Sequence, residues 1–325
     1  MKRRVFLAAM LAVAGLGGQA FAQEDWPTRA ITWVVPFAAG GVTDTTSRRI
    51  AAILSEKLGQ PVVVENKPGA GGIVGTESVA NAKNDGYTVL YASSGPFSIL
   101  PHLQKGKLSF DPIGDFEQVR GVSASGQMLV VRPDAPYNSI EELVAYAKAN
   151  PGAINYGSPG IGTAQHLAGE LLQAAAGIEM VHVPYKAGTS QMVDLMSGVL
   201  DLSFEYTPAV KPYVDDGKMK VIGTTAPERL PSYPEARTVV EAGYPDAVNV
   251  GWTSVALPKG VAPEIKEKLS QALDDTLKDP IMQKLFEANA QTPMNDLGPE
   301  EMTKYLIDAN ARFEKVITAA GIANH

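Results

Sequence analysis

The chain contains no cysteine. That excludes a disulfide framework, a thiol nucleophile, thiolate-bound zinc and iron–sulfur clusters. Basic charge is short: 28 Lys and Arg stand against 35 Asp and Glu, a formal net charge of −7. Nucleic acid is held by a basic face, so no nucleic-acid partner is expected. Histidine is limited to His102, His166, His182 and His325. None lies in an H-E-x-x-H motif and no two share the i, i+4 spacing of a metal-binding helix, so no metal site is expected. Nucleotide motifs are missing too. The stretch Gly69-Ala70-Gly71-Gly72-Ile73-Val74-Gly75 follows an apolar strand, but Val74 stands where a dinucleotide fingerprint needs its third glycine. A serine-hydrolase elbow, G-x-S-x-G, fits neither Gly121-Val122-Ser123-Ala124-Ser125 nor Gly157-Ser158-Pro159-Gly160. No catalytic centre is indicated and no cofactor is expected.

What is present begins with an export signal. Lys2, Arg3 and Arg4 form a basic head, Val5 to Gly15 is apolar, and Ala20-Phe21-Ala22 is a small-x-small cleavage site, so residues 1–22 read as a signal peptide. The apolar stretch is shorter than the roughly 20 residues of a membrane span. Arg3-Arg4-Val5-Phe6-Leu7 also resembles a twin-arginine signal, which leaves the general secretory and twin-arginine routes both open. Cleavage removes three positive charges and no negative one, taking the net charge from −7 to −10. A periplasmic protein is expected.

With 325 residues, 45% of them hydrophobic, the chain can bury two cores. Strand-like and helix-like segments alternate, which indicates an α/β architecture with largely parallel sheets. Ile31–Pro36, Val62–Glu65 and Thr88–Ala92 read as strands of a first unit. Gln127–Val131, Ile154–Gly157, Met180–Val183, Leu200–Phe204 and Met219–Gly223 read as strands of a second. Apolar positions Ile50, Ile53, Leu54 and Leu58 share one helix face, and Gly59 and Pro61 end that helix. Ser139 and Glu142 form a capping box. After Val248–Leu257 the pattern turns wholly helical, with Pro263, Pro280 and Pro299 opening three helices. These are too many helices for the second unit, so the chain is expected to return to the first near Val248–Leu257. The expected organisation is residues 23–126 with 249–325 as lobe 1, and 127–248 as lobe 2.

Two loops share one setting. Pro36-Phe37-Ala38-Ala39-Gly40-Gly41-Val42-Thr43-Asp44 and Gly157-Ser158-Pro159-Gly160-Ile161-Gly162-Thr163-Ala164-Gln165-His166 each run from a strand into a helix. A helix start presents unpaired N–H groups and about half a positive charge, and glycines admit a ligand close to the backbone. Either loop alone is also what an ordinary strand–helix turn looks like, with Thr43 or Asp44 as the cap. Two of them facing across a cleft would clamp a small anion.

These residues carry a resemblance. Pro36 to Asp44, Leu58-Gly59-Gln60-Pro61-Val62-Val63-Val64-Glu65-Asn66, Pro68 to Gly72, Asp85-Gly86-Tyr87-Thr88, Gly162 to Leu171, His182-Val183-Pro184-Tyr185-Lys186, Thr238 to Gly243 and Ala320-Gly321-Ile322 occur in the order seen in the Bug family. This family comprises the substrate-binding proteins of tripartite tricarboxylate transporters. The resemblance spans the mature chain. It implies a two-lobed periplasmic binding protein of the Venus-flytrap, type II-like kind, each lobe a mostly parallel sheet flanked by helices. The ligand it implies is a small organic carboxylate. The partners it implies are the integral membrane subunits of such a transporter, served by a monomer.

Carried over residue by residue, Phe37, Ala38, Ala39, Gly40 and Gly41 would supply backbone donors and an apolar wall, and Thr43 a hydroxyl. Asp44 would meet a ligand amine or water, or act as a cap. Ser158, Gly162 and Thr163 match the second loop, and His166 either touches the ligand or stabilises the helix start. Ser93 and Ser94 would line the cleft. One pair departs from the family's common Asp-Asn: Glu205-Tyr206, expected to set ligand size and the chemistry at the distal end. A ligand-dependent partner of a membrane sensor, or an enzyme on the same scaffold, are the alternative readings.

Overall fold

The structure, a computed structural model, describes residues 26–186 and 188–322. The expected signal peptide lies outside them.

The chain begins with β1 (Ile31–Val35), α1 (Val42–Leu58), β2 (Val62–Asn66), α2 (Ile73–Ala80) and β3 (Thr88–Ser93). A wide π-type turn, Gly95–Ile99, leads into the short α3 (Leu100–Leu103) and then β4 (Phe116–Gly126). Next come β5 (Met128–Val131), α4 (Ile140–Ala149), β6 (Ile154–Ser158), α5 (Ala164–Ala176), β7 (Met180–Pro184), α6 (Gly188–Ser197), β8 (Leu202–Glu205), α7 (Thr207–Asp215) and β9 (Lys220–Thr224). The last part holds β10 (Val250–Pro258), α8 (Pro263–Leu277), α9 (Pro280–Ala288), β11 (Thr292–Pro293) and α10 (Pro299–Ala319).

Among the described residues the strands form two sheets, ordered β11-β4-β10-β3-β1-β2 and β7-β6-β8-β5-β9. β10 and β11 thus join the sheet begun by β1. Both sheets are mixed. β2, β1 and β3 run parallel, as do β7, β6 and β8, while β10, β4 and β11 on one side and β5 and β9 on the other pair antiparallel. Strand direction is nonetheless mostly shared, as expected: β2, β1, β3 and β4 run one way in the first sheet, and β7, β6, β8 and β9 in the second. The reversed strands β5 and β10 are the first strands after the two crossings, and β11 is a short edge strand paired with β4.

β4 is absent from the sequence expectation. Its inward positions include Gln118, Ser123 and Ser125, all buried. Polar groups on a strand hidden on both faces give no alternation to read. Most of them are paired: Ser254 Oγ donates to Gln118 Oε1 at 2.9 Å and Ser125 Oγ donates to Gly126 O at 3.0 Å, while Gln118 Nε2 is buried with no partner among the described residues. The two-residue β11 likewise interrupts the stretch expected to be wholly helical.

Helix ends follow their local chemistry. Gly59 closes α1 at φ 68° and sends its N–H to Ser55 O, the left-handed cap that glycine adopts without steric penalty. Ser139 caps α4 by accepting from Glu142 N, while Glu142 Oε2 accepts from Asn138 N at 2.7 Å. The reciprocal bond of the capping box thus lands one residue early.

One core lies between α1, α8 and the first sheet and includes Trp33, Ile50, Leu54, Leu269 and Leu273. Another fills the second lobe with Leu129, Tyr137, Ile140, Tyr156, Leu172 and Phe204. A third joins the lobes: Leu167 and Leu171 of α5 pack with Phe313 and Ile317 of α10 and with Ile99 and Leu103. The two crossings between the sheets meet in one hydrogen-bonded knot. Gln127 N donates to Thr225 Oγ1 at 2.8 Å, Thr225 Oγ1 donates to Asn249 O at 2.7 Å, and Asn249 Nδ2 donates to Ala164 O at 2.7 Å.

Candidate functional site between the lobes

The first loop joins β1 to α1. Its amides Val42 to Asp44 stand in the first helical turn, where no intrahelical carbonyl reaches them. Thr43 is half-buried, and among the described residues no group hydrogen-bonds its hydroxyl. Asp44 is buried and works inside the loop. Its Oδ2 accepts from Gly40 N at 2.8 Å, its Oδ1 accepts from Asn66 Nδ2 at 2.9 Å, and Arg48 pairs with it at 2.9 Å. Burial would raise the Asp44 pKa, but the hydrogen bonds from Arg48, Gly40 and Asn66 together outweigh it and hold the carboxyl below its ordinary value. Asn66 Nδ2 also donates to Phe37 O at 3.1 Å, so Asp44 and Asn66 shape the loop from behind. Phe37 and Ala38 are half-buried, and Ala39, Gly40 and Gly41 are exposed.

The second loop joins β6 to α5 and is braced differently. Thr163 caps α5: its Oγ1 accepts from His166 N at 3.3 Å and donates to Gly160 O at 2.7 Å. Gly162 N donates to His166 Nδ1 at 3.3 Å. Ser158 Oγ accepts from Gly160 N at 3.1 Å and shares a 2.6 Å hydrogen bond with His182 Nε2. The His166 and His182 rings lie 4.3 Å apart. Behind them Tyr156 donates its hydroxyl to Glu170 Oε1 at 2.5 Å, and its ring stacks on His182 at 5.0 Å. Burial, and then His166 beside it, bring His182 down to about 4. Burial and the adjacent Glu170 hold the Tyr156 hydroxyl well above its usual range. The loop therefore rests on a buried network that is neutral at His182 and Tyr156 around pH 7. The Gly160, Gly162 and His166 amides are used within it, and those of Ala164 and Gln165 stand in the open first turn of α5.

Close packing brings the two loops to one place. Gly72 lies beside the tip of Phe37: a Cβ there would be 3.3 Å from Phe37 Cζ. Its neighbour Gly71 faces the second loop so closely that a Cβ would fall 2.2 Å from Ile161 O. At Gly162 a Cβ would fall 2.1 Å from Leu100 Cδ2. Ser93 and Ser94, at the end of β3, are buried in the same region, and Ser93 Oγ meets no hydrogen-bond partner among the described residues.

More polar side chains gather where the ends of β8 and β3 meet the start of β10. Glu205 is buried at the end of β8, where Gln191 Nε2 donates to its Oε1 at 2.9 Å. Burial pushes its carboxyl up to about 7, against hydrogen bonds from Gln165, the Tyr206 N–H and Gln191. No Lys or Arg is among the groups that act on it. Tyr206 precedes α7, and its raised pKa reports burial, with the Gln127 amide, Glu205 and Tyr91 close by. Tyr91 donates to Thr253 Oγ1 at 3.2 Å, and burial takes its hydroxyl up to about 12.

Gly71, Tyr91, Gln127, Gln191, Gly251 and Thr253 join the region without having been singled out in the sequence. Gly71 carried a cue in its glycine-rich stretch, and Gly251 in being a glycine within a strand pattern, which marks close backbone approach. The others are polar residues whose neighbours come from distant segments.

Two α/β lobes joined by paired crossings, with glycine loops opening helices on both sides of their interface, define a two-lobed solute-binding protein. The chain belongs to the Bug family: the profile of the Tripartite tricarboxylate transporter family receptor, TctC, matches residues 46–322. It is 32% identical over 316 residues to BugT of Bordetella pertussis, covering 97% of this chain and 96% of BugT. The solved periplasmic binding protein BugD superposes with a TM-score of 0.87 at 33% identity, covering 92% of this chain and 100% of that one. An R. palustris protein solved with adipate superposes with the same TM-score of 0.87 at 32% identity, covering 93% of this chain and 100% of that one. The family is one of substrate receptors, and the chain is a binding protein rather than an enzyme. No helix among the described residues is long and apolar enough to cross a membrane.

Proposed function

We propose that this chain, exported by a signal peptide over residues 1–22, binds a small organic carboxylate in the periplasm. It then delivers that ligand to the integral membrane subunits of a tripartite tricarboxylate transporter. In this reading lobe 1 is residues 23–126 with 249–325, lobe 2 is 127–248, and the ligand lies between them.

The supporting observation is the turn before α2, where Gly71 lies against Ile161 of the second loop and Gly72 against Phe37 of the first, so that two helix-opening loops without a Lys or Arg in either meet at one place. Such a pair suits an anion held by amides and hydroxyls. The donors are the free amides of Val42 to Asp44 and of Ala164 and Gln165, with the Thr43 and Ser93 hydroxyls. Phe37, Ala38, Ala39 and Gly41 form the wall. Gly40, Asp44, Ser158, Gly162, Thr163 and His166 hold the loops in shape. Glu205, Tyr206 and Ser94 meet the far end of the ligand. A micromolar ligand needs about −8 kcal/mol. Charge-assisted hydrogen bonds at roughly 1.5–3 kcal/mol each supply it after ordering costs. The adipate bound to the R. palustris relative supports a carboxylate as the ligand class, and the family description supports the transporter as the destination.

The test is a thermal-shift screen of residues 23–325, refolded from denaturant to remove any carried-over solute, against mono-, di- and tricarboxylates and acidic amino acids. One chemical class should raise Tm. Ligand far above its Kd stabilises by a few kcal/mol, about 2.7 at a hundredfold excess over Kd. A refolded protein that no acid stabilises overturns the reading. Delivery is checked by whether purified membrane subunits bind the ligand-loaded form in preference to the empty one.

A further inference from the structure

Tyr206 reaches beyond its own lobe. It occupies the N-cap position of α7 but makes no side-chain capping bond. Its ring crosses to the other sheet instead. A Cβ built on Gly251 of β10 would fall 2.0 Å from the Tyr206 hydroxyl oxygen and 3.3 Å from Ala164 Cβ, the first residue of α5. Gly251 pairs with Ser125 across β10 and β4 and directly follows the second crossing. It is not among the positive-φ glycines, so its backbone accepts any side chain. The residue type there is thus dictated by space, and the space is filled by a tyrosine from the opposite lobe. Tyr91 and Gln127 stand beside the same ring.

We propose that Tyr206 and Gly251 are a matched pair that gauges ligand length. The tyrosine seals the crossing end of the cleft, and the glycine lets it seat there. The inference rests on the carboxylate-receptor reading and adds to it a limit on chain length. A ligand whose carboxylate is held by the two loops runs its chain toward the ring, and the ring ends the available space. The same contact makes Tyr206 a wall that touches both lobes, so ligand fit and lobe closure meet at one side chain.

The probes are straight-chain α,ω-dicarboxylates from malonate to suberate, with the matching monocarboxylates, titrated calorimetrically. Wild type should show an affinity maximum at one chain length and a fall beyond it. In Tyr206→Ala the maximum should move to longer chains, each newly buried methylene adding roughly fourfold in affinity. Gly251→Ala forces the tyrosine off its seat, and the maximum should move to shorter chains or affinity should drop at least tenfold throughout. Gly251→Ala combined with Tyr206→Ala should bind longer chains as Tyr206→Ala does, because the clash has gone. Tyr206→Leu serves if the alanine variant fails to fold. A Tyr206→Ala or Tyr206→Leu protein of wild-type chain-length ranking overturns the gauge while leaving the receptor reading intact. A wild type that binds none of the acids overturns both.

Discussion

The two loops that open α1 and α5 have the same position in their lobes and opposite means of support. The first is held by charge. Asp44 is 4% exposed and Arg48 52% exposed, so a buried carboxylate ties Gly40, Asn66 and a guanidinium that remains partly in solvent. The second is held by packing. A serine, two imidazoles, a glutamate and a tyrosine are layered beneath it, with lobe-bridging apolar residues around them. A loop near the surface can recruit a long charged side chain and stay solvated. A loop backed by β6 and α5 must satisfy each polar atom locally, because a lone buried charge is costly. Two similar helix-opening loops are therefore supported by chemistry that responds differently to salt, pH and added volume.

Added volume should give the largest contrast. Gly40 and Gly162 share φ +81°, but a Cβ at Gly40 meets nothing within 4 Å whereas one at Gly162 meets Leu100 at 2.1 Å. Both alanine variants lose about 1–2 kcal/mol to the left-handed backbone. Gly162→Ala should lose about 1–3 kcal/mol more from overpacking, read as the difference in urea midpoint between the two.

Charge comes next. Asp44→Ala should cost about 2–3 kcal/mol by leaving Gly40 N–H and Asn66 without their acceptor. Part of the Asp44–Arg48 contribution is exposed to salt screening. The gap between wild type and Asp44→Ala should therefore narrow between low and high salt, and that between wild type and Tyr156→Phe should not. Equal salt responses would erase the distinction.

Titration sharpens the comparison within the second lobe. His182 is brought from 6.5 to about 4 by burial and then by His166, so the stability it confers is present above pH 6.5 and lost as pH falls through 4. Glu205 is raised from 4.5 to about 7 by burial, so its contribution is present below pH 4.5 and lost as pH rises through 7. Between pH 4.5 and 6.5 the two slopes oppose each other, each at most about 1.4 kcal/mol per pH unit. Wild-type stability should be nearly flat there. Glu205→Gln should make it rise with pH, and His182→Asn should make it fall. A Glu205→Gln profile that stays flat would show that Glu205 is ionised in the folded protein throughout that range.

The smallest effects on stability should come from the loop hydroxyls, and they should separate. Thr43→Val removes a hydroxyl with no protein partner and should leave Tm nearly unchanged while weakening ligand binding several-fold. Thr163→Val removes a cap and should cost about 1 kcal/mol of stability as well as affinity. Equal Tm losses in the two would place Thr43 in the scaffold.

Much of this was legible one segment at a time. Apolar periodicity and capping residues marked α1, α4, α5, α8, α9 and α10, and Pro and Gly marked their ends, because those signals act over a few neighbouring residues. The glycine loops were visible for the same reason, whereas the pair Glu205-Tyr206 stood out only through the family resemblance. β4 was not, since its polar, glycine-containing stretch is paired on both edges by strands far away in sequence. Asp44, Thr163 and His166 stood out as candidates, but whether each faces a ligand or holds a loop depends on Arg48, Asn66, Gly160 and His182. The sequence by itself determined the family, the α/β alternation and the two helix-opening loops. The tertiary structure alone decided that Gly71 meets Ile161, that a histidine pair braces the second loop, and that Tyr206 seats on Gly251. Contacts of that kind are chosen by packing between separate elements, 16, 45 and 90 residues apart in these three cases, where no local propensity reaches.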